Sequence, residues 1–372
     1  MAVVRPFKPN LAEMSSYLPL SREFDIHYYF TGIDLRDCRS QLDALGLQAI
    51  TAKRYRGYTD FVTSSLVQRV LDFKVGVGSW MLSQISDALQ HDFINIVDPL
   101  YAHTDQLLRK IRPHQKLVVV RWENVFDRYS KVWRAARFSE RVLMRADYVI
   151  CVSEGSLNTL WMPRGSRAKV AKIHPGIDVR FVGEAVRNHR VFGHRPTLLF
   201  VGREQWSKGL EYLLVAVAIL CQRMNLPVQL SVIGVDEAVV RPFLRKLGLC
   251  AEVKCFGRLK NYEVREKMKE ADVFCFPSLL SRTWSEQFGF AMVEAMAHAL
   301  PVVAFDSGCI REICGPNGIY ASAGNSLSLA EALATAIRNP TESAGRGERL
   351  RQRVLQEFNA ETQGKRMLEF LS

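Results

Sequence analysis

Short segments rich in Val, Ile, Leu and Phe recur along the chain, separated by longer segments whose apolar positions have helical spacing. The first half contains seven predicted strands: Ala2–Phe7, Asp25–Phe30, Leu47–Ala52, Phe93–Val97, Lys116–Arg121, Tyr148–Val152 and Val170–His174. The second half contains five: Thr197–Val201, Val228–Ile233, Val253–Phe256, Val273–Phe276 and Pro301–Phe305. Continuous apolar strands alternating with helices are typical of parallel sheets covered on both faces. The pattern therefore predicts an α/β protein with two doubly wound, Rossmann-like domains.

The apolar pattern is interrupted between Asp178 and Thr197 by glycine, proline and basic residues. We expect the domain boundary there, with an N-terminal domain of residues 1–185 and a second domain of residues 186–355. Two domains of this kind face a central cleft, and ligands bind there at the carboxyl ends of the strands.

The amino-acid composition indicates the class of protein, and the net charge indicates the class of partner. The chain has 372 residues, of which 48% are hydrophobic and 24% charged, which is typical of a folded globular protein and excludes extensive disorder. Its 50 Lys and Arg residues exceed its 38 Asp and Glu residues, so the formal net charge is +12. A protein with this charge favours anionic partners: nucleic acid, anionic lipid or phosphorylated substrates.

Targeting and redox signals indicate a cytoplasmic protein. The first residues resemble neither a signal peptide nor a membrane anchor, and the longest apolar segment, Leu210 to Cys221, is too short to span a bilayer. The eight cysteines include no Cys-x-x-Cys pair. We therefore expect neither a disulfide framework nor a zinc site.

Two cations follow the strand Thr197–Val201. The strand ends at Gly202, and Arg203 and Lys208 then lie on either side of a strand-to-helix loop. Such a pair can hold a diphosphate, because arginine offers a fork of donors and lysine a point charge. The alternative is two surface charges beside a turn.

Two carboxylates follow the strand Val273–Phe276. Glu286 and Glu294 are eight positions apart, about 12 Å along a continuous helix, whereas a retaining glycosidase needs its carboxyl groups about 5 Å apart. The pair suits an elongated ligand better, with each carboxylate accepting hydrogen bonds from hydroxyls of a different sugar ring. Backbone amides around Phe288 and Gly289, near a helix start, could bind a phosphate. The alternative is a solvated helix face, although Glu294 lies in an apolar setting where a carboxylate needs a partner.

Together these segments read Gly-Arg-x4-Lys-Gly, Pro-Ser, Glu-x-Phe-Gly-x4-Glu-Ala-Met-Ala and Pro-Val-Val-Ala. They resemble the retaining glycosyltransferases of family 4, which have the GT-B fold; Val152-Ser-Glu and His174-Pro-Gly-Ile-Asp also match. The resemblance implies that Arg203 and Lys208 bind the donor diphosphate. It implies that Glu294 holds the nucleotide ribose and Glu286 faces the donor sugar.

The resemblance also concerns the base and the chain terminus. It places the Gly257-Arg258-Leu259 stretch beside the nucleotide base. It further implies that the final helix, near Leu350–Leu371, crosses back onto the first domain, so that residues 356–372 form a C-terminal segment of their own.

The chain departs from the family pattern mainly in its first domain. The loop after the first strand lacks glycine, which leaves acceptor contacts near Asn10 as an expectation. The family's active-site His is also replaced, so its role falls to Arg121, Glu123 or Asn124, to His103, or is absent. A smaller departure is Ala299, at a position usually held by glycine.

One segment of the first domain carries a basic stripe with three- or four-residue spacing. Its members are Arg128, Lys131, Arg134, Arg137, Arg141 and Arg145. Because apolar residues occupy the opposite side, the stripe suits an anionic surface such as a membrane. The alternative is a solvated helix packed on the sheet.

The combined prediction is a retaining hexosyltransferase that moves a sugar from a UDP- or GDP-linked donor to a hydroxyl of a glycan or lipid-linked acceptor. The sequence contains no Asp-x-Asp element, so we expect no metal and no cofactor besides the donor substrate. We expect a cytoplasmic protein, peripheral on the inner face of a membrane if the stripe docks there. The alternatives are a basic nucleic-acid-binding protein and a catalytically inert sugar-nucleotide sensor.

Overall fold

The computed structural model forms two compact units, Met1–Asp178 with Ala360–Ser372, and Val179–Asn359. It describes residues 1–5, 11–30, 35–44, 47–54, 86–99, 102–125, 133–182, 195–250, 252–282 and 284–372. Three residues singled out in the sequence, Asn10, Arg128 and Lys131, lie outside these ranges.

The first unit is built on a seven-stranded sheet whose described strand pairs are all parallel. Its strands are β1 (Ala2–Val4), β2 (Ile26–Phe30), β3 (Ile50–Arg54), β4 (Phe93–Val97), β5 (Lys116–Arg121), β6 (Tyr148–Cys151) and β7 (Lys169–Lys172). Their spatial order is β3-β2-β1-β4-β5-β6-β7. The order reverses between β1 and β4, and the crevice at such a switch point is where doubly wound sheets bind ligands.

Both faces of this sheet are buried. Along β5, Val118 and Val120 join one apolar cluster, while Leu117 and Val119 join another. Successive side chains of a strand point to opposite faces, so a strand covered on both sides must be apolar throughout. This requirement explains why the strands were recognisable as continuous apolar segments.

Helices of the first unit cover these faces. They are α1 (Leu11–Ser15), α2 (Leu35–Ala44), α3 (Ala102–Leu108), α4 (Trp133–Arg145), α5 (Glu154–Asn158) and, from the chain terminus, α13 (Ala360–Leu371). In α13, Met367 and Leu371 are buried in the same cluster as Val118, and the Tyr148 hydroxyl donates to the Leu371 carbonyl at 3.2 Å.

The second unit contains a six-stranded sheet, again with parallel pairs throughout the part described. Its strands are β8 (Thr197–Val201), β9 (Gln229–Ile233), β10 (Val253–Cys255), β11 (Val273–Phe276), β12 (Val302–Phe305) and β13 (Ile319–Ala321). The spatial order is β10-β9-β8-β11-β12-β13, with the reversal between β8 and β11. The sequence prediction missed β13, because Ile-Tyr-Ala is too short to stand out as an apolar run.

Seven described helices belong to the second unit. They are α6 (Leu210–Gln222), α7 (Glu237–Leu247), α8 (Asn261–Glu270), α9 (Phe290–Ala297), α10 (Ile310–Cys314), α11 (Ser326–Arg338) and α12 (Pro340–Arg353). The chain continues from α12 through a π-helical turn, Val354–Phe358. Asn359 is then extended, and the Ala360 amide donates to the Ile177 carbonyl at 2.8 Å, so α12 and α13 are separate helices.

The predicted α/β fold with two doubly wound, Rossmann-like domains is confirmed by these two parallel sheets. In the part of the chain that the structure describes, no helix is long and apolar enough to cross a membrane.

Candidate active site

In the second unit, the loops after β8 and β11 lie against each other at the switch point. The Leu279 amide donates to the Ser207 carbonyl at 2.8 Å. Gly209 has a φ of +69°, and a Cβ there would lie 1.9 Å from the Pro277 carbonyl oxygen. Only glycine permits both the left-handed backbone and this approach. The Lys-Gly pair in the sequence is therefore explained by the contact between the two loops.

This contact brings together Lys208 and Glu286, residues that the sequence singled out separately. The Lys208 Nζ donates to the Glu286 Oε2 at 2.7 Å, and the Ser278 hydroxyl donates to the same oxygen at 2.9 Å. The Glu286 and Ser278 residues are buried, and the Lys208 side chain is 17% exposed. Burial of a charged pair is costly unless hydrogen bonds satisfy it, so the serine stabilises the carboxylate. We call Lys208, Ser278 and Glu286 the switch-point cluster.

Aromatic rings surround the ammonium group of this cluster. The Lys208 Nζ lies 4.9 Å from the centre of the Trp284 ring and 5.9 Å from that of Phe276. Both distances suit a cation–π interaction, which further holds the cation. The other predicted diphosphate ligand, Arg203, is exposed to solvent on the same loop.

The helix α9 begins directly after Glu286-Gln-Phe-Gly. Gly289 precedes its first residue with a φ of +79°, while the Phe288 ring packs against Phe290 and Phe358 at 5.1 and 5.9 Å between centres. Behind this loop, a Cβ on Gly308 would lie 2.9 Å from the Glu286 carbonyl oxygen. The buried ring and the glycine contact fix the backbone at the positive end of the helix dipole, where an anion is stabilised.

Glu294 lies one turn into α9, is partly buried, and is flanked in sequence by the buried residues Val293 and Ala295. Burial raises the pKa of Glu294 to about 6, and the charge of Arg265 on α8 opposes this rise. A carboxylate kept in an apolar setting can accept hydrogen bonds from a ligand at that point.

The remaining predicted donor residues lie at the carboxyl ends of neighbouring strands. The Gly202 amide donates to the Ile233 carbonyl at 3.0 Å after β8, and the Gly234 amide donates to the Gly257 carbonyl at 2.6 Å after β9. Arg258 is exposed and Leu259 is partly buried in the loop after β10. Backbone hydrogen bonds thus link the segments that follow β8, β9 and β10.

In the first unit, Arg121 is buried and bound to backbone groups. Its Nε donates to the Ser156 carbonyl at 3.1 Å and one Nη donates to the Thr159 carbonyl at 3.0 Å. Glu123 is also buried, and its Oε1 accepts from the Val125 amide at 3.2 Å. Asn124 is partly buried beside them. Arg121 therefore joins the end of β5 to the end of α5.

The charged network at the switch point of this sheet was not predicted from the sequence. Asp98 follows β4 with a φ of +33° and accepts from the Trp122 and Glu123 amides at 2.9 and 3.1 Å. Burial raises the pKa of Asp98, and the charge of Arg121 opposes this. Arg5, at the end of β1, is fully buried with its Nη2 2.6 Å from a Glu13 carboxylate oxygen. Positive φ in a non-glycine residue is uncommon and often found at functional sites.

The basic stripe is only partly described. Arg137 and Arg141 are exposed on α4, whereas Arg145 donates to Asp147 at 2.9 Å and to the Gln115 carbonyl at 2.7 Å. Arg134 belongs to the same helix, and the other candidate replacement for the family His, His103, belongs to α3; their side chains lie outside the description.

Residues 195–339 match the family model described as glycosyl transferases group 1. This segment is therefore similar to the group 1 glycosyl transferases. It contains the switch-point cluster, Arg203, Glu294 and the loop after β10. The predicted resemblance to glycosyltransferases is confirmed.

A similar curated protein is the phosphatidyl-myo-inositol mannosyltransferase of Mycobacterium leprae, 30% identical over 220 residues, which are 58% of this chain and 54% of that protein. The chain thus matches about half the length of this relative.

Solved structures similar in fold include the sucrose-phosphate synthase of Thermosynechococcus elongatus, with a TM-score of 0.73 and 17% identity over 100% of this chain and 97% of that one. Another is the Anabaena HepE protein in complex with UDP and glucose, with a TM-score of 0.67 and 21% identity over 100% and 99% of the two chains. At these identities the likeness concerns the fold.

Proposed function

We propose that the protein transfers a hexosyl group from a nucleotide-sugar to an acceptor hydroxyl with retention of the anomeric configuration. The observation that carries this proposal is the switch-point cluster, in which a buried carboxylate and a lysine meet beside the start of α9. Further support comes from the match of residues 195–339 to the group 1 glycosyl transferase model and from the fold shared with a protein solved with UDP and glucose.

The cluster suits a donor because its ion pair can be exchanged. A diphosphate carries more negative charge than one carboxylate, so it would attract the Lys208 ammonium group, with the exposed Arg203 and the amides at the start of α9 as further donors. The Glu286 carboxylate, still held by Ser278, would then accept hydrogen bonds from hydroxyls of the donor sugar.

In this mechanism Lys208 and Arg203 stabilise the negative charge that develops on the leaving diphosphate. The sugar passes through an oxocarbenium-like state, and the acceptor hydroxyl attacks from the face that the diphosphate leaves. The proton of this hydroxyl moves to the leaving phosphate oxygen, and no side chain acts as nucleophile. We assign Glu294 to the ribose and the Arg258–Leu259 backbone to the base.

The acceptor side is assigned to the first unit. The Mycobacterium leprae relative is named for a phosphatidyl-myo-inositol acceptor, and we propose a lipid-linked or glycan acceptor for this chain. The exposed Arg137 and Arg141 support docking to an anionic membrane surface. Arg121 and Glu123 would shape the acceptor loop through their backbone contacts.

A thermal-shift screen of UDP-, GDP- and ADP-sugars tests the donor assignment. A ligand at 100 times its Kd stabilises the folded state by about 2.7 kcal/mol, so one donor class should raise the melting temperature by a few degrees. The protein is then incubated with the donor that it binds and with extracts that contain candidate acceptors, and sugar transfer is measured. Binding without transfer would indicate a sensor, and salt-sensitive DNA or RNA binding without any donor shift would indicate a nucleic-acid-binding protein.

A further inference from the structure

Asp98 is a buried carboxylate that the proposed mechanism does not use. It follows β4 at the point where the strand order of the first sheet reverses, and only 6% of the residue is exposed. Ligands of doubly wound sheets bind in the crevice at this point, beyond the carboxyl ends of the strands. A charged side chain placed there needs hydrogen-bond donors, because burial of an unpaired charge is costly.

One oxygen of this carboxylate is held by the backbone. Oδ1 accepts from the Trp122 and Glu123 amides at 2.9 and 3.1 Å, and the Asp98 amide donates to the Val120 carbonyl at 2.9 Å. These bonds fix the carboxyl group against the end of β5. Its orientation is therefore set before a ligand binds, which lowers the free-energy cost of binding.

The other oxygen, Oδ2, has no hydrogen-bond donor among the residues that the structure describes. The positive charge of Arg121 acts on Asp98, but its guanidinium group donates to the Ser156 and Thr159 carbonyls, at 3.1 and 3.0 Å. An ionised carboxylate accepts hydrogen bonds and cannot donate them. Oδ2 is therefore the atom at which a bound molecule with an O–H or N–H group would complete the hydrogen bonding of Asp98.

The charges around Asp98 favour a neutral donor over a cation. Positive charge from Arg121, and more weakly from Arg5, acts on the carboxyl group and would oppose a metal ion or an ammonium group. A hydroxyl group carries no charge to be repelled, and its hydrogen bond to a carboxylate is stronger than one between neutral groups. The hydroxyl of a sugar or a cyclitol suits this position.

We infer that the Asp98 Oδ2 accepts a hydrogen bond from an acceptor hydroxyl that is not the one glycosylated. The inference rests on the proposed function, in which the acceptor side belongs to the first unit and the reacting hydroxyl gives its proton to the leaving phosphate. The hydroxyl at Asp98 is then a second one, so the acceptor is a polyol, a sugar or a cyclitol. Asp98 orients its ring and takes no part in the exchange of bonds.

Asp98→Asn is the decisive variant. Its side-chain oxygen can still accept from both amides, and asparagine tolerates the φ of +33° as aspartate does. An NH2 group replaces Oδ2, however, and cannot accept a hydrogen bond. Asp98→Ala removes both oxygens. Asp147→Asn is the matched control, because Asp147 accepts from the Leu117 amide at 2.8 Å just before β6, among the amino ends of the strands.

Binding is measured by saturation-transfer NMR with myo-inositol and methyl α-D-mannopyranoside, each with UDP, GDP or ADP present. We expect at least one of these polyols to bind wild type and Asp147→Asn with similar Kd. The Kd should rise about tenfold to a hundredfold in Asp98→Asn and in Asp98→Ala, as for the loss of a hydrogen bond to a charged group. Nucleotide-sugar binding, measured by calorimetry, should be unchanged in Asp98→Asn.

Three results would overturn the inference: neither polyol binds the wild-type protein, Asp98→Asn binds the polyol like wild type, or Mn²⁺ binds in place of a polyol and depends on Asp98. The second result would show that Asp98 only holds the end of β5, and the third would assign the carboxylate to a cation. Failure of the wild-type protein to bind any nucleotide-sugar would refute the proposed function separately, because the polyol measurement requires no donor sugar.

Discussion

Replacing Glu294 with glutamine should make the protein more stable and at the same time weaken donor binding. The carboxyl group lies on α9, and burial raises its pKa from 4.5 to about 6. The raised pKa means that the ionised form is less favourable in the folded protein than in the unfolded chain.

The sign and magnitude of the change in stability follow from proton linkage. Between pH 4.5 and 6 the folded protein binds more protons at this site than the unfolded chain, so stability falls as the pH rises through this window. A difference of about 1.5 pKa units corresponds to ~2 kcal/mol, the full cost above pH 6. Glu294→Gln keeps the shape and removes the charge, so it should gain up to ~2 kcal/mol at pH 7.5 and nothing at pH 4.

The same substitution should weaken donor binding. A carboxylate that accepts hydrogen bonds from ribose hydroxyls contributes about 1.5–3 kcal/mol per bond, so the Kd of the donor should rise about tenfold or more. In the wild-type protein, donor affinity should increase as the pH rises through 6, because the ionised form is the better acceptor.

Urea unfolding between pH 4 and 8 measures the stability difference, and calorimetry measures donor binding. Glu331→Gln, at an exposed position on α11, serves as the matched control and should change neither quantity. A Glu294→Gln protein that is less stable than wild type at pH 7.5 would refute the reasoning, as would a stability difference that does not change with pH.

Three further predictions concern the loops and the metal requirement. Ser278→Ala removes a hydrogen bond to the Glu286 carboxylate, so kcat should fall about tenfold with little change in the donor KM. Ser281→Ala is the control. An unchanged kcat in Ser278→Ala would contradict the assignment of Glu286 to the donor sugar. Gly209→Ala should lose more stability in urea unfolding than Gly248→Ala, which has a similar positive φ but meets only the flexible Gln222 side chain. Equal losses would mean that the contact with Pro277 does not constrain the loop. Sugar transfer should persist in EDTA, and a complete loss restored by Mn²⁺ would show that metal independence is wrong.

The fold was predictable because a strand that is buried on both faces appears in the sequence as a continuous apolar segment. Strands such as β4, β5, β8 and β11 must be apolar at every position, and their predicted bounds agree with the structure. The three-residue edge strand β13 carries too few apolar positions to be recognised. Short edge strands are poorly defined by pattern, because only part of their surface is buried.

The individual residues of the site were predictable from the sequence, but their spatial arrangement was not. Lys208 and Glu286 each follow a buried strand, yet their contact depends on β8 and β11 being neighbours across the switch point. Sequence alone does not give strand order. Likewise, nothing in the sequence indicates that the Arg121 guanidinium binds the carbonyls of Ser156 and Thr159.

Calorimetric titration of wild-type and Lys208→Ala protein with the nucleotide-sugar selected by the thermal-shift screen tests the central claim most directly. Lys246→Ala, at an exposed position on α7, is the matched control. The switch-point cluster predicts saturable binding to wild type and control, with a Kd about tenfold to a hundredfold higher in Lys208→Ala. Equal affinity of all three proteins would contradict the assignment of this cluster to the donor diphosphate.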